Sequence, residues 1–287
     1  FFERMAKRKN DQVNGDSKPD FRRKFFSGIG TLNKCLKKAV EAEKGDLTSF
    51  LQDYKHYVGY LEDRYLKKPG QVYMAGNGDC GQLGLGLEDE DKSINVPTKL
   101  SLLQNSHVTM VACGGLHNVA CTAEGKVLTW GCNDDGSLGR ITTSEEEETF
   151  PSEIELPEPI TQVAAGDCQS LALGISGKVY SWGCHKDKEG KQWHLKNSRT
   201  TKPDSIKQIQ KEPMEIPGLS NVVEIRCTAS VNIALTNTGS LISWGIGECF
   251  ELGRPVCQLR NDKDEYDYEG IRKDHFTPGP MFCNEVS

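Results

Sequence analysis

From Val72 onward the chain is a succession of short apolar runs broken by glycines and polar turns. One set of runs is Val111-Ala112-Cys113-Gly114-Gly115, Val163-Ala164-Ala165-Gly166 and Val223-Glu224-Ile225-Arg226-Cys227. A short polar loop leads from each to a second run: Asn118-Val119-Ala120-Cys121, Ser170-Leu171-Ala172-Leu173 and Asn232-Ile233-Ala234-Leu235. Tight turns follow at Gly125-Lys126, Gly177-Lys178 and Gly239-Ser240, and a third run then ends in Trp-Gly. Runs this short, rich in β-branched and aromatic residues and punctuated by glycine, predict strands joined in hairpins rather than helices. Glycine at the turns supplies the positive φ that other residues adopt only at a cost.

The groups are copies of one another. Val72 begins Val-Tyr-Met-Ala-Gly-Asn-Gly-Asp-Cys-Gly-Gln-Leu-Gly, Trp130 begins Trp-Gly-Cys-Asn-Asp-Asp-Gly-Ser-Leu-Gly-Arg, and Leu241 begins Leu-Ile-Ser-Trp-Gly-Ile-Gly-Glu-Cys-Phe-Glu-Leu-Gly-Arg. A fourth copy, Val179-Tyr-Ser-Trp-Gly, starts alike and then abandons the pattern. The strand-ending glycines Gly76, Gly131, Gly183 and Gly245 lie 55, 52 and 62 residues apart. Three or four strands per unit of roughly 50 residues is the signature of a β-propeller blade. The fold class expected is all-β, with Trp130, Trp182 and Trp244 packing blade on blade. Against the sister copies, Asp134 and Asp135 read as turn residues. Glu145 to Glu148 reads as a solvated inter-blade loop.

The region before the repeats is different. Residues 1–44 carry 12 Lys+Arg against 6 Asp+Glu, while the whole chain is net −6. A basic head on an acidic body suggests an anionic partner for the head alone. Lys7-Arg8-Lys9 and Arg22-Arg23-Lys24 bracket a polar spacer, as in a bipartite nuclear localisation signal; a solvated tail is the other reading. Residues 1–30 are therefore read as a basic, disordered tail. Residues 31–68 are read as helical, with apolar faces built from Leu32, Cys35, Leu36, Ala39 and Val40 and from Leu47, Phe50, Leu51, Tyr54, Tyr57, Val58, Leu61 and Tyr65. Residues 71–287 are the expected partial propeller, with repeats starting near 72, 127, 179 and 241. The first methionine is Met5 and the last unit ends without closing strands, so an incomplete product starting naturally at Met5 is expected.

Candidate chemistry narrows quickly. The 11 cysteines include no CxxC pair, and no apolar leader precedes them; reduced, buried thiols are expected. No run reaches the apolar length of a membrane span. Gly76-Asn77-Gly78-Asp79-Cys80-Gly81 matches a dinucleotide fingerprint, but the helix that must open there is missing and the motif recurs as a turn. Asp262, Asp264 and Asp267 fail the calcium-loop frame. Cys184, His185 and His194 fit no strong metal spacing. No P-loop or nucleophile–base set is present, so no covalent catalysis, metal or cofactor is expected.

The copies closely resemble the repeats of the regulator of chromosome condensation family, typified by the chromatin-bound exchange factor for the GTPase Ran. The resemblance covers about Val72 to Cys283. It implies a seven-bladed propeller, of which about four blades are present. It also implies that the broken third copy, His185-Lys186-Asp187-Lys188-Glu189-Gly190-Lys191-Gln192, is the family's β-wedge, a polar hairpin that pries at the GTPase's nucleotide site. An ordinary loop drifted from consensus is the alternative. Asp167 matches an acidic residue of the GTPase-facing surface tied to exchange, or else caps a turn through nearby amides. Asp79 and His117 match further polar residues of that face.

The departures count against full exchange activity. Ser230 stands where the family carries a second functional Asp, and Cys168-Gln169 replaces the usual Ser-His. The loop after Arg254 matches the family's chromatin-contacting loop, where Arg260 and Arg272 could meet a histone acidic patch, but Asp262, Asp264, Glu265, Asp267 and Glu269 dilute it. The resemblance implies a nuclear, chromatin-associated exchange factor for a Ran-type GTPase, with a nuclear import receptor and nucleosomes, histones or DNA as further partners of the basic tail. A propeller scaffold for protein–protein interaction, without exchange activity, is the other reading.

Overall fold

The computed structural model describes residues 68–86, 93–195, 206–255 and 274–281. The chain divides after Lys68 into two units, and the second, Pro69–Ser287, holds all the described residues but Lys68. The basic tail, the helical segment up to residue 67, Arg260 and Arg272 lie outside the described residues.

The apolar runs become strands where the pattern places them. A two-stranded sheet, β1 (Tyr73–Gly76) and β2 (Ile94–Lys99), comes first. A four-stranded antiparallel blade follows in simple chain order: β3 (Val108–Cys113), β4 (His117–Thr122), β5 (Val127–Gly131) and β6 (Ser152–Ile154). The next blade starts the same way with β7 (Ile160–Ala165), β8 (Gln169–Gly174) and β9 (Val179–Gly183). The chain then leaves it for a separate sheet, β10 (His185–Lys186), β11 (Gln192–Leu195) and β12 (Ile206–Lys207), and returns as β13 (Gln210–Glu215) to complete the blade against β9. The last described blade is β14 (Val222–Cys227), β15 (Val231–Thr236), β16 (Leu241–Gly245) and β17 (Gly279–Pro280).

Blade stacking explains the burial. Every residue of β4 and of β8 is buried, because the second strand sits inside its blade with a neighbour on both faces. In β15 the alternate residues Ile233 and Leu235 are only half-buried. The three repeated tryptophans, Trp130, Trp182 and Trp244, are 0–1% exposed and anchor the contact between successive blades. The strand-ending glycines have positive φ, from 89° at Gly183 to 129° at Gly245. A side chain at Gly131, Gly183 or Gly245 would strike the carbonyl of Leu116, Cys168 or Ser230 in its own blade.

One expectation changes. Glu145 to Glu148 is not a plain loop but lies in a short helix, α1 (Glu145–Thr149). Ser144 caps it by accepting the Glu147 N–H, and the acidic first turn suits the positive end of the helix dipole. Glu148 accepts the Asn133 N–H at 3.1 Å and the Thr142 hydroxyl at 2.6 Å, so this carboxylate braces the blade loop.

Candidate functional site

Two sets of loops share one face of the blade stack. Gln169, at the start of β8, pairs with Gly183, at the end of β9, so the loop before the second strand and the loop after the third emerge together. The same register holds for His117 with Gly131 and for Val231 with Gly245. Asp167, the hairpin from His185 to Leu195, and the loops at 132–137 and 246–252 all belong to this face.

The loops before the second strands are tied across blades through their backbones. The Gly115 N–H donates to the Asp167 carbonyl at 3.1 Å, and the Asp167 N–H donates to the Ala229 carbonyl at 3.2 Å. Asp167 thus makes its ties with its main chain. Its exposed carboxylate receives a long contact, 3.9 Å, from the Cys168 thiol. Gly115 is required beneath it, since a β-carbon there would collide with that carboxylate. Asp79 is exposed too, its carboxylate accepting from the Asn77 amide at 2.7 Å.

His117 is placed differently from a surface contact. It is 2% exposed, and its Nε2 lies 2.8 Å from the Ser170 hydroxyl. Ser170 spends its single proton on the Ser137 carbonyl at 3.1 Å, so His117 donates and carries its proton on Nε2. Burial drives its pKa down to about 4, against a smaller opposing pull from Asp135. Gln169, the departure from the usual His, reaches the next blade in the same fashion, donating to the Thr228 carbonyl at 3.1 Å. Gln169 thus makes an inter-blade tie at the position that His117 occupies in the preceding blade.

The third copy's insertion is a hairpin. Lys186 pairs with Gln192 and His185 with Trp193, and β11 also pairs with β12. Asp187 braces the tip: one carboxylate oxygen accepts the Glu189 and Lys191 N–H groups at 3.0 and 2.9 Å, the other accepts the Trp193 indole at 2.7 Å. Lys191 lies over the Trp193 ring, 4.2 Å from its centroid. Lys188, Glu189, Gly190 and Lys191 stand out, with Gly190 at φ 79° in the turn.

His185 and His194 are interior residues, and each replaces a backbone carbonyl. In the regular copies Thr129 and Ser243 donate to the carbonyls of Leu138 and Leu252, at 2.8 and 2.6 Å. The equivalent Ser181 meets His194 Nε2 at 3.2 Å instead. Likewise Asn118 and Trp130 both donate to the Gln82 carbonyl, and Ser170 and Trp182 both donate to Ser137. In the next blade Asn232 finds His185 Nε2 at 2.9 Å, and the Trp244 N–H has no partner. A carbonyl oxygen offers two lone pairs and an imidazole nitrogen one, which accounts for the orphaned indole. His194 is thereby committed through both nitrogens and His185 through its Nε2. Burial, and then the neighbouring His194 ring, push His185 down to about 3.

Asp135 is the residue that the repeat alignment hides. Its Oδ2 accepts Lys186 Nζ at 2.7 Å, while Oδ1 accepts Gln192 Nε2 at 2.7 Å and the Cys184 thiol at 3.6 Å. Burial opposes its ionisation, but Lys186 first, then Cys168 and Gln192, outweigh it and hold the carboxyl below its ordinary value. The signal was available: the matching positions of the first and fourth copies are Cys80 and Cys249, so among the three regular copies a charge occurs only in the one preceding the hairpin.

Stacked four-stranded antiparallel blades, indole-anchored and with a braced hairpin interrupting one blade at its loop face, define a β-propeller repeat protein. The model for the RCC1-like domain matches residues 71–286. The chain belongs to that family. It is 32% identical over 221 residues to the regulator of chromosome condensation of Xenopus laevis, covering 77% of this chain and 49% of that protein. It is 29% identical over 256 residues to the guanine nucleotide exchange factor SRM1 of Saccharomyces cerevisiae, covering 77% and 50%. It is also 32% identical over 209 residues to the human E3 ubiquitin-protein ligase HERC2, covering 70% of this chain and 4% of that protein. Among solved structures, Prp20p of Saccharomyces cerevisiae, a protein with binding properties toward Gsp1p and histones, superposes with a TM-score of 0.64 at 28% identity, over 78% of this chain and 51% of that one. The chain spans about half the length of the Xenopus and yeast relatives.

Proposed function

We propose that this chain acts in guanine nucleotide exchange on a Ran-type small GTPase, through the face that carries Asp167 and the hairpin. The observation that carries the reading is the hairpin: a polar, internally braced projection replaces the consensus loop of one blade on the face where the Asp167 carboxylate is exposed. The likeness to the exchange factor SRM1 and to Prp20p, which binds Gsp1p, supports it. Exchange by this route needs no proton transfer and no nucleophile. A face that binds the nucleotide-free GTPase more tightly than the loaded form lowers nucleotide affinity by linkage. Asp167 and Asp79 offer carboxylates to the GTPase surface, and Lys188, Glu189, Gly190 and Lys191 form the intruding tip. His117, His185, Lys186 and Gln192 support that surface from behind.

Release of fluorescent GDP from Ran, with and without the chain, tests the reading. Acceleration is expected, and Asp167→Ala should slow it by about an order of magnitude. No acceleration at concentrations where the two proteins bind would sink exchange. It would leave the second reading, an interaction propeller, which Ser230 in place of the family's acidic residue and the match to HERC2 favour. The nuclear and chromatin roles of Lys7, Arg8, Lys9, Arg22, Arg23 and Lys24, and of Arg260 and Arg272, belong to the same proposal. Residues 5–30 fused to a reporter should concentrate it in nuclei, and an evenly cytoplasmic reporter would remove the import receptor as a partner.

A further inference from the structure

A hairpin that displaces another protein's contacts must be held at a fixed angle, because a yielding one would bend instead of transmitting binding free energy. Its two short strands pair over two residue pairs only, too few for stability of their own. Beyond the pairing of β11 with β12, what holds it is on either side. Toward the following blade, His185 accepts from Asn232 and meets Phe276 edge-on, ring centroids 5.0 Å apart. Toward the preceding blade, the ties converge on one carboxylate. Lys186 and Gln192 face each other across the hairpin, one from each strand, and Asp135 takes both at 2.7 Å.

We propose that Asp135 is the positioning residue of the exchange hairpin, gripping both of its strands at one register pair and fixing its reach toward the GTPase. This rests on the exchange reading for its effect on rate, though not for its effect on the hairpin. Asp135 is 14% exposed and its lysine partner 39%, so the pair is shielded on the carboxylate side. The donors are of three kinds, ammonium, amide and thiol, and only a carboxylate with two free oxygens accepts them all. Neither Cys80 nor Cys249 at the matching positions could do so, and Cys80 precedes a copy with the regular loop.

Two measurements on the whole chain test this. Amide hydrogen exchange compares residues 185–195 with the fully buried strand Gln169–Gly174, which reports whether each variant is folded. GDP release, titrated with GTPase, separates the saturating rate from the concentration giving half that rate. Asp135→Ala, and Asp135→Asn as the milder change, should speed exchange in 185–195 while leaving 169–174 unchanged. They should lower the saturating rate by about tenfold while moving the half-saturating concentration less than about twofold. The charge swap Asp135→Lys with Lys186→Asp should restore both readouts in part, Gln192 turning its amide to present oxygen. Unchanged protection in 185–195 in a folded variant overturns the proposal, as does an effect confined to the half-saturating concentration. If the unaltered chain does not accelerate GDP release, the exchange reading falls, and the hydrogen-exchange comparison alone decides whether Asp135 holds the hairpin.

Discussion

At the scale of single residues, the insertion trades backbone acceptors for histidines, and the trade is incomplete. Trp182 and Trp244 occupy equivalent buried positions, yet Trp182 donates to Ser137 at 2.8 Å and Trp244 donates to nothing. Replacing each indole by a phenyl ring therefore removes different things. Trp182→Phe loses a satisfied buried hydrogen bond; Trp244→Phe removes a polar group that burial already penalises. Trp182→Phe should destabilise by about 1–2 kcal/mol more than Trp244→Phe. Urea midpoints at a common slope would show it, and equal losses would mean that the Trp244 N–H is satisfied in solution. None of this was legible in the sequence. His185 and Asn232 are 47 positions apart, and the pattern marks only that the consensus is broken after Gly183, not what takes over its hydrogen bonds.

At the scale of the element, the repeated loop tells the opposite story. Its glycines could be read directly, because positive φ is a local demand that recurs at one position per copy. Gly81 and Gly136 adopt φ 69° and 71°, and at the same position the fourth copy carries Phe250 at φ 67°. A bulky residue there is strained, and Phe250 recovers little of that by packing, being 86% exposed. Phe250→Gly should stabilise the chain by about 1 kcal/mol, read as a rise in melting temperature. Gly136→Ala should do the reverse and more severely, since its β-carbon would press on Ile209 at 2.8 Å as well. A drop in stability for Phe250→Gly would show that the aromatic ring holds contacts that offset the strain. Strands and turns were thus foreseeable from spacing, and the hairpin only from the family resemblance. Asp135 was marked only by its charge against Cys80 and Cys249, since comparison with sister copies classes it as a turn residue, and its partners Lys186 and Gln192 are 51 and 57 positions away.

At the scale of the whole molecule, stability is a sum over blade contacts, and those contacts have been built with neutral imidazoles. His117 ties the second blade to the third through Ser170, and His185 ties the inserted hairpin to the last described blade through Asn232. Burial lowers the pKa of the first from 6.5 to about 4 and of the second to about 3. Between those values and 6.5 the folded chain keeps both rings neutral while the unfolded chain protonates them. Unfolding then takes up protons, so stability rises with pH through this window and is lost as the pH falls from 6.5 toward 4. At pH 5 each ring should cost roughly 2 kcal/mol relative to neutral pH. Asp135 adds no loss there, because its carboxyl is held below its ordinary 3.8 and stays ionised. Melting temperature against pH would reveal the slope. His117→Gln isolates one contribution, since Gln169 shows that a glutamine at this loop position can make an inter-blade hydrogen bond without titrating. The variant should match the parent in stability near pH 5 or exceed it, even if it melts lower at pH 7.5. A pH profile parallel to the parent's would mean that His117 is not the buried, neutral tie between blades that its contact with Ser170 describes.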